Sequence, residues 1–354
     1  MISVSIREKI RDSQFTLFPY NNSINLIFIK FMPSIESEIL QCTGATSIRN
    51  TAHVQTLWSG YGTIKRYTLE GGEHASVIAK HIQLPDTGNH PKGWNSDLSH
   101  QRKIKSYVVE SYWYSHYAQL TNAHCKVPKL LHADTEEGRQ VLIMEDLNAS
   151  GFPIRLDPET VSLVAAKNCL SWLAHFHGKF MQVQPKGLWE IGTYWYLDTR
   201  PDELAKMKNK SLKQMASAID RKLNEARFQT LVHGDAKVAN FCFGPGNQVA
   251  AVDFQYVGKG CGIKDVAYFI SSCFTEDACE RFEEELLNHY FNVLETAMDK
   301  TIDFQSVKKE WSALYKYAWA DLYRFLDGWS DGHWKMHGYS KSLTKSVLKE
   351  LNNV

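Results

Sequence analysis

Apolar and polar positions along the chain predict strands in the first part and helices in the second. Residues 54–82 form three short apolar runs separated by glycine pairs, which is the pattern of three strands joined by tight turns. Apolar residues recur at helical spacing in 104–120, 163–177 and 311–329. We therefore predict an α+β protein whose strands come before most of its helices.

A further β-hairpin is predicted in the second part. Two apolar runs flank residues 244–247, Gly-Pro-Gly-Asn, which have the composition of a tight turn. Because such a turn returns the chain to its starting point, Asp253 after the second run should lie beside Asn240 and near Asp235. The pattern predicts a compact acidic pocket.

The polar residues around this hairpin suit phosphoryl transfer from ATP. A kinase must hold Mg²⁺ on the triphosphate and take a proton from an acceptor hydroxyl. Asp253 and Asn240 suit the metal, and Asp235 suits the acceptor. The spacing H-x-D-x-K-x-x-N, which starts at His233, matches a kinase catalytic loop in which Lys237 neutralises charge on the transferring phosphate. The alternative is that these are ordinary turn residues brought together by chance.

The stretch HGDAKVAN, followed by AVDFQ, resembles the aminoglycoside phosphotransferase and choline kinase superfamily, and is most similar to its ecdysteroid-kinase-like branch. Protein kinases match less well, since they carry Arg in place of Gly234 and Gly in place of Gln255. The resemblance covers about residues 54–334. It implies a two-lobed, protein-kinase-like fold that uses ATP and Mg²⁺ to phosphorylate a hydroxyl group of a small molecule. We expect a nucleotide-binding N-lobe at 32–147 and a catalytic and acceptor-binding C-lobe at 148–354.

The same resemblance assigns roles on the nucleotide side. It implies that Lys80 contacts the α and β phosphates and is oriented by Glu110 from the following helix. Without the resemblance, Lys80 reads as a surface lysine and Glu110 as the partner of a neighbour such as Lys105. Gly60 and Gly62 would let backbone N–H groups approach the phosphates, and an ordinary hairpin turn is the alternative.

The run VLIMEDL resembles the segment that joins the two lobes in this superfamily. The resemblance implies that adenine bonds to the carbonyl of Glu145 and the amide of Leu147, with Met144 at the back of the pocket. It also implies that His233 braces the catalytic loop and that Asp265 holds the loop backbone. For Asp265, the alternative is a helix N-cap.

The C-terminal helices form the acceptor wall in this superfamily. Four residues off the apolar stripe of 311–329 are therefore candidates, namely Trp319, Asp321, Tyr323 and Asp327. Two carboxylates beside two rings would suit a cationic acceptor such as an amino-alcohol or an aminoglycoside. The alternative is that Arg324 pairs with one of these carboxylates on a solvated face. The ecdysteroid-kinase-like branch itself takes neutral polyhydroxylated acceptors.

Composition and charge set broader limits. The chain has 354 residues, 44% of them hydrophobic, which is enough to bury two cores. Its 40 basic and 39 acidic residues give a net charge of +1, so no overall field favours nucleic acid or a membrane surface.

Seven cysteines without a C-x-x-C pair predict reduced thiols in a cytosolic protein. His175 and His177 lie two apart, on different helix faces, and are expected to be core or interface residues rather than metal ligands. Residues 1–31 are expected to be an extension outside the domain.

Two other functions fit the sequence less well than a small-molecule kinase. A catalytically silent nucleotide-binding protein of the same fold is disfavoured, because the base, both metal ligands and both lysines are present. A protein kinase is disfavoured by the short interval between Asp253 and the helix that carries Asp265. The sequence leaves the acceptor's identity and the oligomeric state open.

Overall fold

A computed structural model describes residues 33–57, 60–83, 97–136 and 138–353. Its first part is built on an antiparallel sheet of five strands in the order β1-β2-β3-β5-β4. These strands are β1 Ser47–Thr56, β2 Gly62–Glu70, β3 Ser76–Gln83, β4 Leu130–Glu136 and β5 Arg139–Glu145. The three strands predicted in 54–82 are confirmed, and the first begins earlier, at Ser47. The predicted extension at 1–31 lies outside the described residues.

Strand β5 takes part in a core on each side of the sheet. Residues 141–144 are buried without interruption. Because successive side chains of a strand point to opposite faces, alternate residues of this run join a small core with helix α1 (Ile35–Thr43). The other two residues join the main core, which extends through the helical region. One hydrophobic core therefore connects the sheet to the helices.

Helix α2 (Asp97–His116) crosses from the sheet to the helical region. The helix predicted at 104–120 is present, but it begins earlier than expected and ends at His116, where a short 3₁₀ turn, Ala118–Leu120, follows. Trp113 on this helix is fully buried in the main core. Helix α2 therefore links the two parts of the fold.

The second part of the chain is helical. Its helices are α3 Leu163–Lys179, α4 Pro201–Lys206, α5 Lys210–Asn224, α6 Ile263–Cys273, α7 Glu276–Ala297, α8 Phe304–Trp329 and α9 Gly338–Asn352. Short strands lie between α5 and α6, namely β6 Thr230–Val232, β7 Phe241–Phe243, β8 Val249–Ala251 and β9 Gly258–Gly260. Strand β7 pairs with β8, which confirms the predicted hairpin, and β6 pairs with β9. The α+β class is confirmed, while the lobe boundary at 147/148 stays a prediction.

The seven cysteines are all free thiols, and six of them are buried. Within the described part of the chain, no helix combines the length and the apolar character needed to cross a membrane.

Candidate active site

A cavity of about 700 Å³ lies between the sheet and the helical region. Most of the residues singled out from the sequence line it. They are Lys80, Glu110, Met144, Glu145, Leu147, Asp235, Lys237, Asn240 and Asp253. Residues from distant parts of the chain thus meet in one cavity, as the sequence predicted.

Asp265 on helix α6 holds the catalytic loop from behind. Its Oδ2 accepts the amide of His233 at 2.6 Å, and its Oδ1 accepts the amide of Gly234 at 3.0 Å. The N-cap position of this helix is occupied by Gly262. The bracing contact implied by the family resemblance is confirmed, and the N-cap alternative for Asp265 is wrong.

The loop also requires a glycine and a histidine at its start. Gly234 has a φ of 79°, and a Cβ atom at this position would lie 2.1 Å from the carbonyl oxygen of Tyr256. The ring of His233 contacts the carbonyl of Val252 through Nε2 at 3.0 Å, and its Nδ1 accepts the amide of Asp235 at 3.3 Å. This ring connects the two ends of the hairpin, so its predicted bracing role is confirmed.

The carboxylate of Asp235 is fixed by three donors. Its Oδ1 accepts the hydroxyl of Tyr268 at 3.1 Å, and its Oδ2 accepts Lys237 Nζ at 2.9 Å and Asn240 Nδ2 at 3.2 Å. The charge of Asp235 raises the pKa of Lys237, against the opposing effect of burial. Asp235 is 7% exposed, and it faces the cavity as an oriented carboxylate.

Asn240 and Asp253 present oxygen atoms that have no partner among the described residues. The side-chain amide of Asn240 donates to Asp235, at 2.8 Å to the backbone oxygen, which leaves its own oxygen available. Asp253 has a φ of 69°, and its Oδ1 is buried without a hydrogen-bond partner in the described residues. Burial alone would raise the pKa of Asp253, but nearby lysines, Lys80 first among them, hold it below its ordinary value. A charged carboxylate and an amide oxygen are ligands that fit Mg²⁺, which also takes phosphate oxygens.

Among the described residues, no three His, Cys, Asp or Glu side chains lie close enough together to hold a metal ion. His177 is buried between the hydroxyl of Tyr290, at 2.8 Å, and Asp265, at 3.2 Å. His175 stacks on His124 with ring centroids 4.5 Å apart. His177 is therefore a hydrogen-bonded core residue, as expected, whereas His175 is half-buried.

Lys80 and Glu110 form the predicted ion pair. Lys80 Nζ lies 2.5 Å from Glu110 Oε2, and the two residues are 3% and 2% exposed. Burial raises the pKa of Glu110 above its ordinary value, and the charge of Lys80 opposes this shift. The alternative partner, Lys105, instead lies over the ring of Trp189 at 4.4 Å. The pair places an ammonium group at the wall of the cavity.

The segment after β5 offers a free backbone donor. Met144 lines the cavity, and the Glu145 side chain turns to Lys126 at 3.0 Å. The carbonyl of Leu147 accepts the amide of Phe152 at 2.8 Å, while the Leu147 amide has no acceptor among the described residues. The amide is therefore available to a ligand, and the adenine contacts assigned to Glu145 and Leu147 stay a prediction.

The glycines between β1 and β2 have a structural explanation. Gly62 has a φ of 155°, and a Cβ atom there would lie 1.9 Å from the carbonyl oxygen of His81 on the next strand. At this turn the cavity is lined by Leu57 and Tyr61, and neither Gly60 nor Gly62 lines it. Phosphate binding by the two glycines stays a prediction.

The sequence of the chain matches one known protein family. The model of the ecdysteroid kinase-like family matches residues 113–188 and 179–302. The two segments overlap and together span 113–302, or 190 of the 354 residues. The chain belongs to the ecdysteroid kinase-like family. Membership makes it a kinase-like enzyme. No curated protein matches the chain by sequence.

Solved structures show that this ecdysteroid kinase-like chain has a kinase-like fold. An amicoumacin kinase in complex with AMP-PNP, Ca²⁺ and Ami is 16% identical, with 90% of this chain and 94% of that chain covered and a TM-score of 0.50. The aminoglycoside phosphotransferase APH(4)-Ia is 12% identical, with 89% and 97% covered and a TM-score of 0.50. At these identities the likeness establishes the fold, in agreement with the sequence.

Helix α8 (Phe304–Trp329) lines the cavity near its end, but the four residues predicted to form its acceptor wall are the wrong ones. None of the four, Trp319, Asp321, Tyr323 and Asp327, lines the cavity. Asp321 is fully buried and accepts Arg324 Nη2 at 2.7 Å, so this pair is present, but inside the protein rather than on a solvated face. Asp327 accepts the backbone amides of Lys208 and Asn209. The second half of α8 is enclosed by other elements, so positions off its apolar stripe also face protein.

Other residues line the cavity beyond Asp235, and sequence reasoning missed them. They include Tyr194, Tyr268, Phe325, Trp329 and Lys335. Tyr268 follows Asp265 by three residues and therefore shares its helix face, a spacing that could have identified it. Phe325 and Trp329 lie on the apolar stripe of 311–329, which predicts core positions, but the end of α8 reaches the cavity. Lys335 lies in the connection to α9 and has no local signal.

The ecdysteroid kinase-like sequence AVDFQ also connects the metal side to helix α2. Gln255 Oε1 accepts Lys103 Nζ at 2.8 Å and Ser106 Oγ at 3.3 Å. The ring of Phe254 stacks on Trp113, with centroids 4.6 Å apart and planes 14° apart. Burial and a neighbouring lysine lower the pKa of Lys103 to about 8. These contacts hold the helix that carries Glu110 against the segment that carries Asp253.

Proposed function

We propose that the chain transfers the γ-phosphoryl group of ATP to a hydroxyl group of a small molecule, with Mg²⁺ as cofactor. The observation that carries the proposal is the pair of carboxylates that face one cavity from the two ends of the hairpin. Asp235 is oriented by three donors, and Asp253 keeps a buried oxygen without a partner in the described part of the chain. One carboxylate is thus placed to receive a proton and the other to receive a cation.

The nucleotide is assigned to the sheet side of the cavity. Lys80, held by Glu110, would contact the α and β phosphates, and Leu147 would bond to adenine through its free amide. Asn240 and Asp253 would hold Mg²⁺ through their side-chain oxygens. When bound, Mg²⁺ would neutralise charge on the phosphates. The amicoumacin kinase of the same fold was solved with AMP-PNP and Ca²⁺, which supports a nucleotide and a divalent cation in such a cavity.

The transfer step needs no covalent intermediate on the protein. The acceptor oxygen forms a bond to Pγ while the bond from Pγ to the oxygen bridging to Pβ breaks, and ADP leaves. The proton of the acceptor hydroxyl passes to Asp235. Lys237, 2.9 Å from that carboxylate, would neutralise charge on the transferring group.

The free cysteines support the further prediction of a reducing, cytosolic environment.

The proposal is tested by measuring ADP formation with Mg²⁺-ATP and a panel of hydroxyl compounds. We expect Asp235→Asn to reduce kcat by about a hundredfold to ten-thousandfold, because it removes the proton acceptor. Nucleotide affinity should change little, since Asp235 faces the acceptor. Asp277→Asn, at an exposed position on α7, is the matched control. A loss of ATP affinity equal to the loss of rate would contradict the assignment of Asp235.

A further inference from the structure

The cavity extends past Asp235 into a region with aromatic walls. Phe325 and Trp329 stack with centroids 5.6 Å apart at the end of α8, and Tyr194 meets Phe325 edge to face at 5.2 Å. Tyr256 also lines this region. Aromatic walls of this kind favour an acceptor with an apolar or planar frame.

A buried lysine without an anionic partner faces the same region. Lys335 is 8% exposed and lines the cavity, and its Nζ lies 4.4 Å from the centroid of the Tyr268 ring. Among the described residues, its ammonium group has neither a hydrogen-bond acceptor nor a carboxylate within ion-pair distance. The hydroxyl of Tyr268 bonds to Asp235, so the lysine lies on the acceptor side of the base. An ammonium group that has lost most of its water and has no counter-charge beside it costs free energy, which an anionic ligand in the cavity would offset.

The charged residues in this part of the cavity are mainly basic. Lys237 is matched by Asp235 at 2.9 Å, and Arg200 by Glu203 at 3.1 Å. Arg102 donates to the backbone oxygen of Thr199 and to Ser99, and no described carboxylate lies within ion-pair distance of it. The other acidic residues of the cavity lie on the nucleotide side. The acceptor region therefore repels a cation rather than attracting one.

We propose that the acceptor carries an anionic group, such as a carboxylate or a sulfate, on an apolar or aromatic frame, and that Lys335 binds this group. This inference rests on the proposed phosphotransferase function, because it names the acceptor class of the same cavity. It replaces the cationic acceptor, one of the alternatives that the sequence left open, because the two carboxylates on α8 that would have bound a cation face other parts of the protein.

The protonation state of Lys335 supports the proposal. Burial lowers the pKa of Lys335 to about 8, with Asp235 opposing the shift and Lys237 adding to it. The side chain is thus mainly charged at neutral pH. The ring of Tyr268 contacts the ammonium group, but it supplies no counter-charge.

The test is a matched series of three compounds that differ in charge and little in size. They are para-(hydroxymethyl)benzoate, its neutral amide, and para-(hydroxymethyl)benzylamine. Calorimetry measures the binding of each to the full chain loaded with Mg²⁺ and AMP-PNP, so binding is read without turnover. We expect the benzoate to bind about tenfold more tightly than the amide, and the amine to bind most weakly.

Variants then assign the preference to one side chain. Lys335→Gln should remove the difference between benzoate and amide, and Lys335→Arg should keep most of it. Lys341→Gln removes an exposed charge on α9, outside the cavity, and should leave the preference unchanged. Melting temperatures of the variants confirm that each is folded.

Several outcomes would overturn the inference. Equal affinities for benzoate and amide would do so, as would tightest binding of the amine or no measurable binding of the benzoate. So would an equal loss of affinity for all three compounds in Lys335→Gln. The last would mean that Lys335 contacts the transferring phosphate. Phosphate transfer is measured separately as ADP formation with Mg²⁺-ATP. Transfer to alcohols without a preference for anionic ones would contradict the anionic acceptor and would still support the phosphotransferase function. Tighter binding of the benzoate without any phosphate transfer would support an anion-binding site and would contradict the proposed function.

Discussion

Asp235 is held by donors that come both from its own loop and from helix α6. A carboxylate has about four positions at which it accepts hydrogen bonds. Tyr268, Lys237 and Asn240 occupy three of them, so the group retains room for one more donor. An acceptor hydroxyl is the donor that the proposed reaction brings. The arrangement restricts the direction from which a hydroxyl approaches the base, and this orients the acceptor towards the phosphate.

The unpaired oxygen of Asp253 gives a prediction about Mg²⁺. In Asp253→Ala, the cation loses its main carboxylate, and we expect Mg²⁺-dependent ATP affinity to fall by about tenfold to a hundredfold. Titration of ATP with and without Mg²⁺ measures this effect. Asp299→Asn, at an exposed turn, serves as the control. If Mg²⁺ strengthens ATP binding equally in wild type and in Asp253→Ala, the metal assignment is wrong.

The lowered pKa of Lys335 gives a pH dependence with a defined sign. The ammonium group loses its proton as the pH rises through about 8, where the ordinary value is 10.5. The preference for benzoate over amide should therefore be full about one pH unit below 8, and it should fall from about tenfold towards equal affinities as the pH rises above 8. Other groups near Lys335, which include Asp235, Lys237, Cys273 and His333, also act on the charged benzoate, so the same pH series in Lys335→Gln serves as the control that isolates the lysine. A ratio that stays constant from pH 7 to pH 10 would contradict this assignment.

The turn at Gly234 is constrained by a close backbone contact. An alanine would require the strained φ of 79° and would bring its Cβ atom to 2.1 Å from the carbonyl of Tyr256. We expect Gly234→Ala to lower the free energy of unfolding by about 2 kcal/mol or more. Gly246→Ala has a similar φ of 67° but open space around it, so it isolates the cost of φ from the cost of the contact. Denaturant unfolding of both variants gives the two terms, and equal losses would show that the contact adds nothing.

At the scale of elements, the cleft depends on how helix α2 lies against strand β3 and the segment after β8. Lys80 and Glu110 come from two of these elements, and Gln255 connects the third to the helix. We expect Lys80→Ala and Glu110→Ala to be non-additive in kcat/KM, with a coupling of about 0.5–3 kcal/mol, because each acts through the other. A double-mutant cycle measures the coupling. Losses that simply add would mean that Glu110 does not orient Lys80.

The difference between local and distant contacts explains what the sequence could predict. Asp235, Asn240 and Asp253 are joined by one short hairpin, so their proximity follows from local turn chemistry. The pairing of Lys80 with Glu110 came from a family resemblance. Lys103 and Lys335 meet the site through packing of elements far apart in sequence, and no spacing places them there, whereas the spacing of Tyr268 from Asp265 could have identified it. The residues chosen on α8 were wrong for a related reason, since the neighbours of a helix decide which face is enclosed.

At the scale of the whole molecule, the sheet and the helices share the main hydrophobic core. Trp113 on α2 belongs to this core, as do residues of β5 and of the helices from α3 to α9. Its ring lies between Phe254 from the site and Phe176 and Phe180 from α3. A cavity left at this position would therefore weaken both parts of the fold together.

We expect Trp113→Ala to lower the free energy of unfolding by about 3–5 kcal/mol, because a fully buried ring is removed from a packed core. Since the core is shared, one cooperative transition should move to lower denaturant or temperature, without a separate transition for the sheet. Circular dichroism and the fluorescence of the remaining tryptophans report on different parts of the fold, and their transitions should coincide. Val108→Ala, on the same helix at a position 47% exposed, is the control and should change stability little. Two separated transitions in Trp113→Ala would show that the sheet and the helices are stabilised independently, with α2 as a tether rather than part of a common core.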